Sequence, residues 1–214
     1  MSYGHRPRRS GSSGAWKFRL LIAAAMVAFA LFRYFSMGQV NPITGEVQRV
    51  AMSADQEIAM GLQAAPEMAA QHGGLYPDRR AQAQVDAIGE ELVVALRAWL
   101  REEGRQNPYR FEFHLLRDPR TINAFALPGG QVFITHALFE RLTTKGQLAG
   151  VLGHEIGHVL SRHGAQRMAK QSLTQGLTGA VGVAGGGYDS ARMAAAVGQF
   201  INMKYGRDDE LESD

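Results

Sequence analysis

Two histidines with a glutamate beside the first, His154-Glu155-Ile156-Gly157-His158, stand inside a mostly apolar run from Leu148 to Leu160. If that run is helical, each residue advances by ~100°, so His154 and His158 lie one turn apart on the same face. Two imidazoles so placed can grip one metal ion. Glu155 is turned away from their common axis and can reach a water on the metal rather than the metal itself. A catalytic zinc ordinarily takes three protein ligands and keeps one position open for water. The motif is therefore half of a site, and the chain has to supply another ligand.

A third histidine on the same helix does not fit. The extended pattern His-Glu-x-x-His-x-x-Gly-x-x-His finds Ser161 at its glycine and Gly164 at its last histidine. On a continuous helix His163, five residues past His158, would point ~140° off the ligand face. Carboxylates remain, and the last segment offers Asp208, Asp209, Glu210, Glu212 and Asp214. Glu210 and Asp214 are four apart. One helical face could thus carry a ligand and, a turn below, a carboxylate to accept the free N–H of a metal-bound histidine. The plainer reading of such a run is a solvated acidic helix.

The elements that must position these groups can be read from periodicity and punctuation. Thr144-Lys145-Gly146-Gln147 has the form of a capping box opening the His-Glu helix, and Leu148, Val151, Leu152, Ile156 and Val159 bury it as a rigid mount. Upstream, Phe111, Phe113 and Leu115 alternate with Glu112 and His114, the pattern of a half-buried strand. Ile122–Leu127 and Gln131–Thr135 read as strands joined across Pro128-Gly129-Gly130 as a hairpin. His114 and His136 read as surface residues. A long helix over 78–103 carries Val85, Ile88, Leu92, Ala95, Leu96 and Trp99 as a core stripe. Ser53-Ala54-Asp55-Gln56 opens an earlier helix that Pro66 should interrupt or kink. Asp189-Ser190 should cap a helix running to Lys204. The glycine-rich stretch 176–187 reads either as a loop touching a membrane or as a small-residue helix.

Charge is unevenly distributed. Residues 1–45 hold Arg6, Arg8, Arg9, Lys17, Arg19 and Arg33 and no acid, so the remaining part of the chain carries a net negative charge although the whole is +3. The globular part therefore has no nucleic-acid signal. There is no cysteine, which rules out disulfides and thiolate ligands. Leu20 to Phe32 is an uninterrupted apolar run of ~20 Å as a helix, extended by Trp16 and Phe18 before it and Tyr34, Phe35 and Met37 after it. We read 20–37 as an uncleaved transmembrane signal anchor, with a cleaved signal peptide or a buried core helix as alternatives. The basic lead, 1–19, places the N-terminus in the cytoplasm by the positive-inside rule. Residues 38–52, with Asn41-Pro42-Ile43-Thr44-Gly45, read as a turn-rich linker, and 53–214 as one domain.

Three blocks, in order, carry a resemblance: Asn123 to Gly130, the His154–His158 motif, and Arg207-Asp208-Asp209-Glu210-Leu211-Glu212-Ser213-Asp214. The chain resembles the HtpX/BepA-like zinc metallopeptidases, gluzincins related to the CAAX prenyl proteases. The last block matches that family's Arg-x-x-Glu-x-x-Ala-Asp with Ser213 in place of alanine. The resemblance implies an α+β, mostly helical, zincin-like domain with a small sheet beside the active-site helix. It implies one Zn2+ held by His154, His158 and Glu210, with Asp214 behind a ligand and Glu155 as general base. It also implies that the strand at Asn123-Ala124 pairs with extended polypeptide substrate, and that the domain continues beyond Asp214. The expected function is a membrane-anchored endopeptidase of the bacterial inner membrane. Its domain would face the periplasm and act on misfolded envelope or membrane proteins. Two other classes compete: an inactive membrane-anchored chaperone that kept the metal fold, and a structural helical protein with a chance motif.

Overall fold

The structure, a computed structural model, describes residues 13–185. Six helices and five short strands follow in the order α1 (Ser13–Ser36), β1 (Gly38–Val40), β2 (Val47–Arg49), α2 (Ala54–Gln71), α3 (Arg79–Glu102), β3 (Glu112–Leu116), β4 (Ala124–Leu127), β5 (Gln131–Thr135), α4 (His136–Phe139), α5 (Lys145–Leu160) and α6 (His163–Gly185). The molecule is mostly helical with small sheets, as the sequence predicts. The helix expected from Asp189 to Lys204 lies outside the described residues.

The main sheet has the order β3-β5-β4. Its centre, β5, is buried at all five positions, pairs parallel with β3 and antiparallel with β4. The parallel pairing has no local signature, because its two strands are separated by the whole β4 hairpin. The hairpin itself forms across Pro128-Gly129-Gly130 as expected, and Gly129 is required there. Its φ is +91°, and a Cβ would lie 2.4 Å from the Ile58 Cα of α2. The tip of the hairpin is thereby pressed onto α2.

The main core gathers Val85, Ile88 and Val93 of α3, Phe113 and Leu115 of β3, Val132 and Ile134 of β5, and Leu148, Leu152 and Ile156 of α5. The stripe on α3 sits slightly rotated from the expected one. Val93 and Leu100 are buried, whereas Ala95 is exposed and Trp99 is 48% exposed. Helix α2 opens with the capping box expected at Ser53 and Gln56. Pro66 does not end it. The proline lies on an exposed face, where water can satisfy the carbonyl left without its N–H partner.

The stretch 38–52 is more than a chain of turns. β1 and β2 pair antiparallel, and the buried Asn41 and Gln48 reach the end of α5. Asn41 donates to the Leu160 carbonyl at 2.7 Å and Gln48 to the Ser161 carbonyl at 2.9 Å, satisfying acceptors that a helix C-terminus leaves open. Beyond them Arg162 adopts φ +55°, an uncommon conformation for a non-glycine residue. Its side chain holds it there. Arg162 Nε and Nη2 donate to Glu57 Oε1 at 2.8 and 2.6 Å, and Nη2 also donates to the Met52 carbonyl at 2.7 Å. Glu57 Oε2 accepts the Tyr109 hydroxyl at 2.7 Å. Burial, and then the neighbouring carboxylate, push the Tyr109 phenol above its ordinary pKa, so it remains a neutral donor.

Both partners of the Glu57–Arg162 pair are buried, so removing one strands the other's charge in a low-dielectric interior. Glu57→Ala should destabilise the folded chain by about 3–5 kcal/mol. Denaturant unfolding in detergent would measure it, and a loss below 1 kcal/mol, on the scale of an exposed pair, would contradict a structural role.

Candidate metal centre

Helix α5 mounts the motif. Thr144 accepts from the Gln147 N–H at 3.2 Å and the Gln147 side chain accepts from the Thr144 N–H at 3.2 Å, the reciprocal cap the sequence predicts. Leu148, Leu152, Ile156 and Val159 anchor one face in the two hydrophobic clusters. His154 and His158 stand half-buried on another face, their ring centroids 4.6 Å apart and their planes at 84°. Glu155 is buried beside them. One potential ligand atom from each of the three residues lies within 4.8 Å of the others. The two imidazoles, in a chain without cysteine, are nitrogen donors suited to a borderline divalent metal such as zinc, with the Glu155 carboxylate close beside them.

The motif opens onto a cleft of about 340 Å³. Asn123, Ala124 and Ala126 form one side of it, and His154, Glu155 and His158 the other. β4 is the edge strand of its sheet, so its outer side faces the cleft rather than another described strand. Asn123 is pinned just ahead of β4. Its carbonyl accepts from the Thr135 N–H at 3.0 Å, and its own N–H donates to Thr135 Oγ1 at 3.1 Å. The structure thus brings together five residues that the sequence reading singled out: Asn123, Ala124, His154, Glu155 and His158. Glu210 and Asp214 lie outside the described residues.

The structure places one neighbour, His163, differently from the sequence expectation. The 140° estimate for His163 assumes an unbroken helix, but α5 ends at Leu160 and α6 starts at His163 after the left-handed Arg162. The turn carries His163 back onto the motif, where its Nδ1 lies 2.7 Å from His158 Nδ1. Two ring nitrogens at this distance share one proton, one donating and the other accepting. With Nδ1 engaged in this way, Nε2 is the atom His158 would present to a metal. Arg167, one turn further along α6, lines the same cleft. The signal that could have exposed both was Arg162-His163 directly after a helix rich in small residues, and it is legible only once the turn is known.

His114 and His136 are half-buried rather than on the open surface. His114 Nε2 bonds Gln131 Oε1 at 2.8 Å and its ring stacks on Phe133; His136 stacks on Tyr76 with centroids 4.0 Å apart. Neither belongs to the cluster at His154.

The family model described as peptidase family M48 matches residues 79–214. The beta-barrel assembly-enhancing protease of Yersinia pestis is 36% identical over 145 residues, covering 67% of this chain and 27% of that protein. The mitochondrial metalloendopeptidase OMA1 of Schizosaccharomyces pombe is 29% identical over 155 residues, covering 72% of this chain and 42% of that protein. The beta-barrel assembly-enhancing protease of Escherichia coli K12 is 39% identical over 100 residues, 45% of this chain and 20% of that protein. The chain spans less than half the length of these relatives. It belongs to peptidase family M48.

Proposed function

We propose that this chain is the catalytic part of a membrane-anchored zinc endopeptidase. The observation that carries the reading is a single cleft with the edge strand β4 on one side and His154, Glu155 and His158 on the other. An exposed strand edge binds extended polypeptide through main-chain hydrogen bonds, with little demand on sequence. A scissile bond laid along β4 at Asn123-Ala124 would pass over the metal motif.

In this reading His154 and His158 hold the metal, and Glu210 completes the set. The family match runs to Asp214 and so includes Glu210 and Asp214, the latter assigned to support a ligand. Bound zinc supplies Lewis acidity and a water acidic enough to lose a proton near neutral pH. Glu155 accepts that proton and returns it to the leaving amine. Its burial removes competing solvent from the carboxylate. His163 acts on His158 rather than on substrate, fixing the ring so that Nε2 points where a ligand is needed.

The proposed setting is the bacterial inner membrane. α1 contains a 22-residue apolar helix, Ala15–Ser36, with an 18-residue window of which only 6% is buried against protein. Assigned as a single-pass anchor with its basic lead in the cytoplasm, it leaves the metal motif and its cleft on the periplasmic side. Misfolded envelope or membrane polypeptides are then the proposed substrates, in keeping with relatives named for β-barrel assembly.

Glu155→Gln should retain zinc at the wild-type stoichiometry while cleavage of an unfolded protein falls by at least about 100-fold; full activity in that variant would remove Glu155 from the mechanism. His163→Leu should release zinc to a competing chelator about 10–100-fold more readily, and His163→Asn, which keeps an acceptor, should recover part of the loss. Equal zinc retention in all three proteins would reduce His163 to packing.

A further inference from the structure

Among the described residues, the most extensive packing between two elements joins α1 to α6, and no chemistry at the metal centre calls for it. The two helices run antiparallel. Gly176 faces Ala30 so closely that a Cβ on it would lie 2.8 Å from the Ala30 Cβ, and a Cβ on Gly179 would lie 3.4 Å from Met26 Cε. Further along, Arg19 Nε donates to the Val183 carbonyl at 3.0 Å. These three points set a single register, in which Arg33 lies level with about Leu173, Lys170 about one turn nearer the cleft, and Arg19 with Val183.

That register aligns two charge-free layers. α1 carries no charge between Arg19 and Arg33, and α6 carries none from Gln171 to Gly185. Each layer is about 20 Å tall as helix, and they overlap along the pair. The hydroxyls inside the layer of α6 are turned onto their own backbone: Ser172 to the Met168 carbonyl, Thr174 to Lys170 and Thr178 to Gln175, each at 3.0 Å. Where water is absent, such bonds satisfy a helical hydroxyl without an outside partner. The outward face of α1 shows Leu21, Phe29 and Phe32, all more than 60% exposed, and that of α6 shows Val181. Any medium that surrounds α1 at this level also surrounds α6.

We infer that α6 enters the bilayer alongside α1, so that the cleft opens at the membrane surface. The inference rests on the reading of α1 as a membrane anchor. α6 begins at His163 in the cleft and meets the charge-free layer after Lys170, seven residues or about 10 Å later. Arg49, stacked over the Tyr34 and Phe35 rings at 5.3 and 5.1 Å, ties the β1–β2 hairpin to the same end of α1. The cleft therefore cannot swing freely on a linker. Its substrates are polypeptide segments lying on, or emerging from, the bilayer within about one helical turn or two of the headgroups.

The chain has no cysteine, so single replacements report cleanly. Phe29→Cys on α1, Val181→Cys on α6 and Glu102→Cys on α3 are all at exposed positions. Each full-length variant is reconstituted into phosphatidylethanolamine–phosphatidylglycerol vesicles. A membrane-impermeant maleimide is supplied on both sides, and labelling is compared with that in detergent with lipid removed. The expected result is that Phe29→Cys and Val181→Cys react at least about tenfold more slowly in vesicles than in detergent, because the thiolate is suppressed in hydrocarbon, while Glu102→Cys reacts equally in both. Protection at 29 with full labelling at 181 overturns the embedding of α6 and leaves the anchor intact. Full labelling at both overturns the anchor reading first. Protection at 181 that persists in detergent means that protein covers α6, and also overturns the inference.

Discussion

The buried pair between Glu57 and Arg162 is the constraint on which the site depends. An arginine with left-handed backbone directly after the motif helix is costly, and a carboxylate without water is more so. Together they are tolerable because every polar end is occupied: the guanidinium by Glu57 and the Met52 carbonyl, the carboxylate also by Tyr109. The result is a turn of fixed shape between α5 and α6. A flexible glycine in its place would permit the same path without imposing it.

That turn has consequences in two directions. Toward the cleft it places His163 against His158, so one ring of the proposed metal pair is oriented by the residue that opens the next helix. Away from the cleft it directs α6 along α1. Meanwhile Asn41 and Gln48 hold the last carbonyls of α5 from the hairpin that follows α1. Site geometry and attachment to the N-terminal helix are therefore built from the same few residues. Under the proposed function, a peptidase with a sequence-tolerant edge strand would need some other limit on what it cuts, and the inferred position at a membrane surface would provide one.

Much of this was legible in the residues themselves. The capping boxes at Ser53 and Thr144, the alternation through Phe113 and the glycines after Pro128 are local signals, and the elements they mark appear where expected. The metal motif is local too, since its i, i+4 spacing acts within one helix. What could not be read depends on residues distant in sequence. Arg162 is polar and unremarkable until Glu57, 105 residues earlier, explains its backbone. The pairing of β3 with β5 leaves no mark in either strand. Size and phase place Trp99 in the core, yet it is exposed, while α3 packs closely on β3 where Gly89 meets Phe113. The residues 38–52 look like a linker because short strands rich in polar side chains have no hydrophobic period.

The described cleft holds two imidazoles and a buried carboxylate, and in the proposed mechanism the remaining ligand is Glu210, assigned by resemblance. X-ray absorption at the zinc edge of the metal-loaded full chain tests this directly. The account predicts two imidazole nitrogens and carboxylate or water oxygens at ~2.0–2.1 Å, with one oxygen contribution lost in Glu210→Ala. A first coordination sphere with three imidazoles, or a spectrum unchanged by Glu210→Ala, would contradict it.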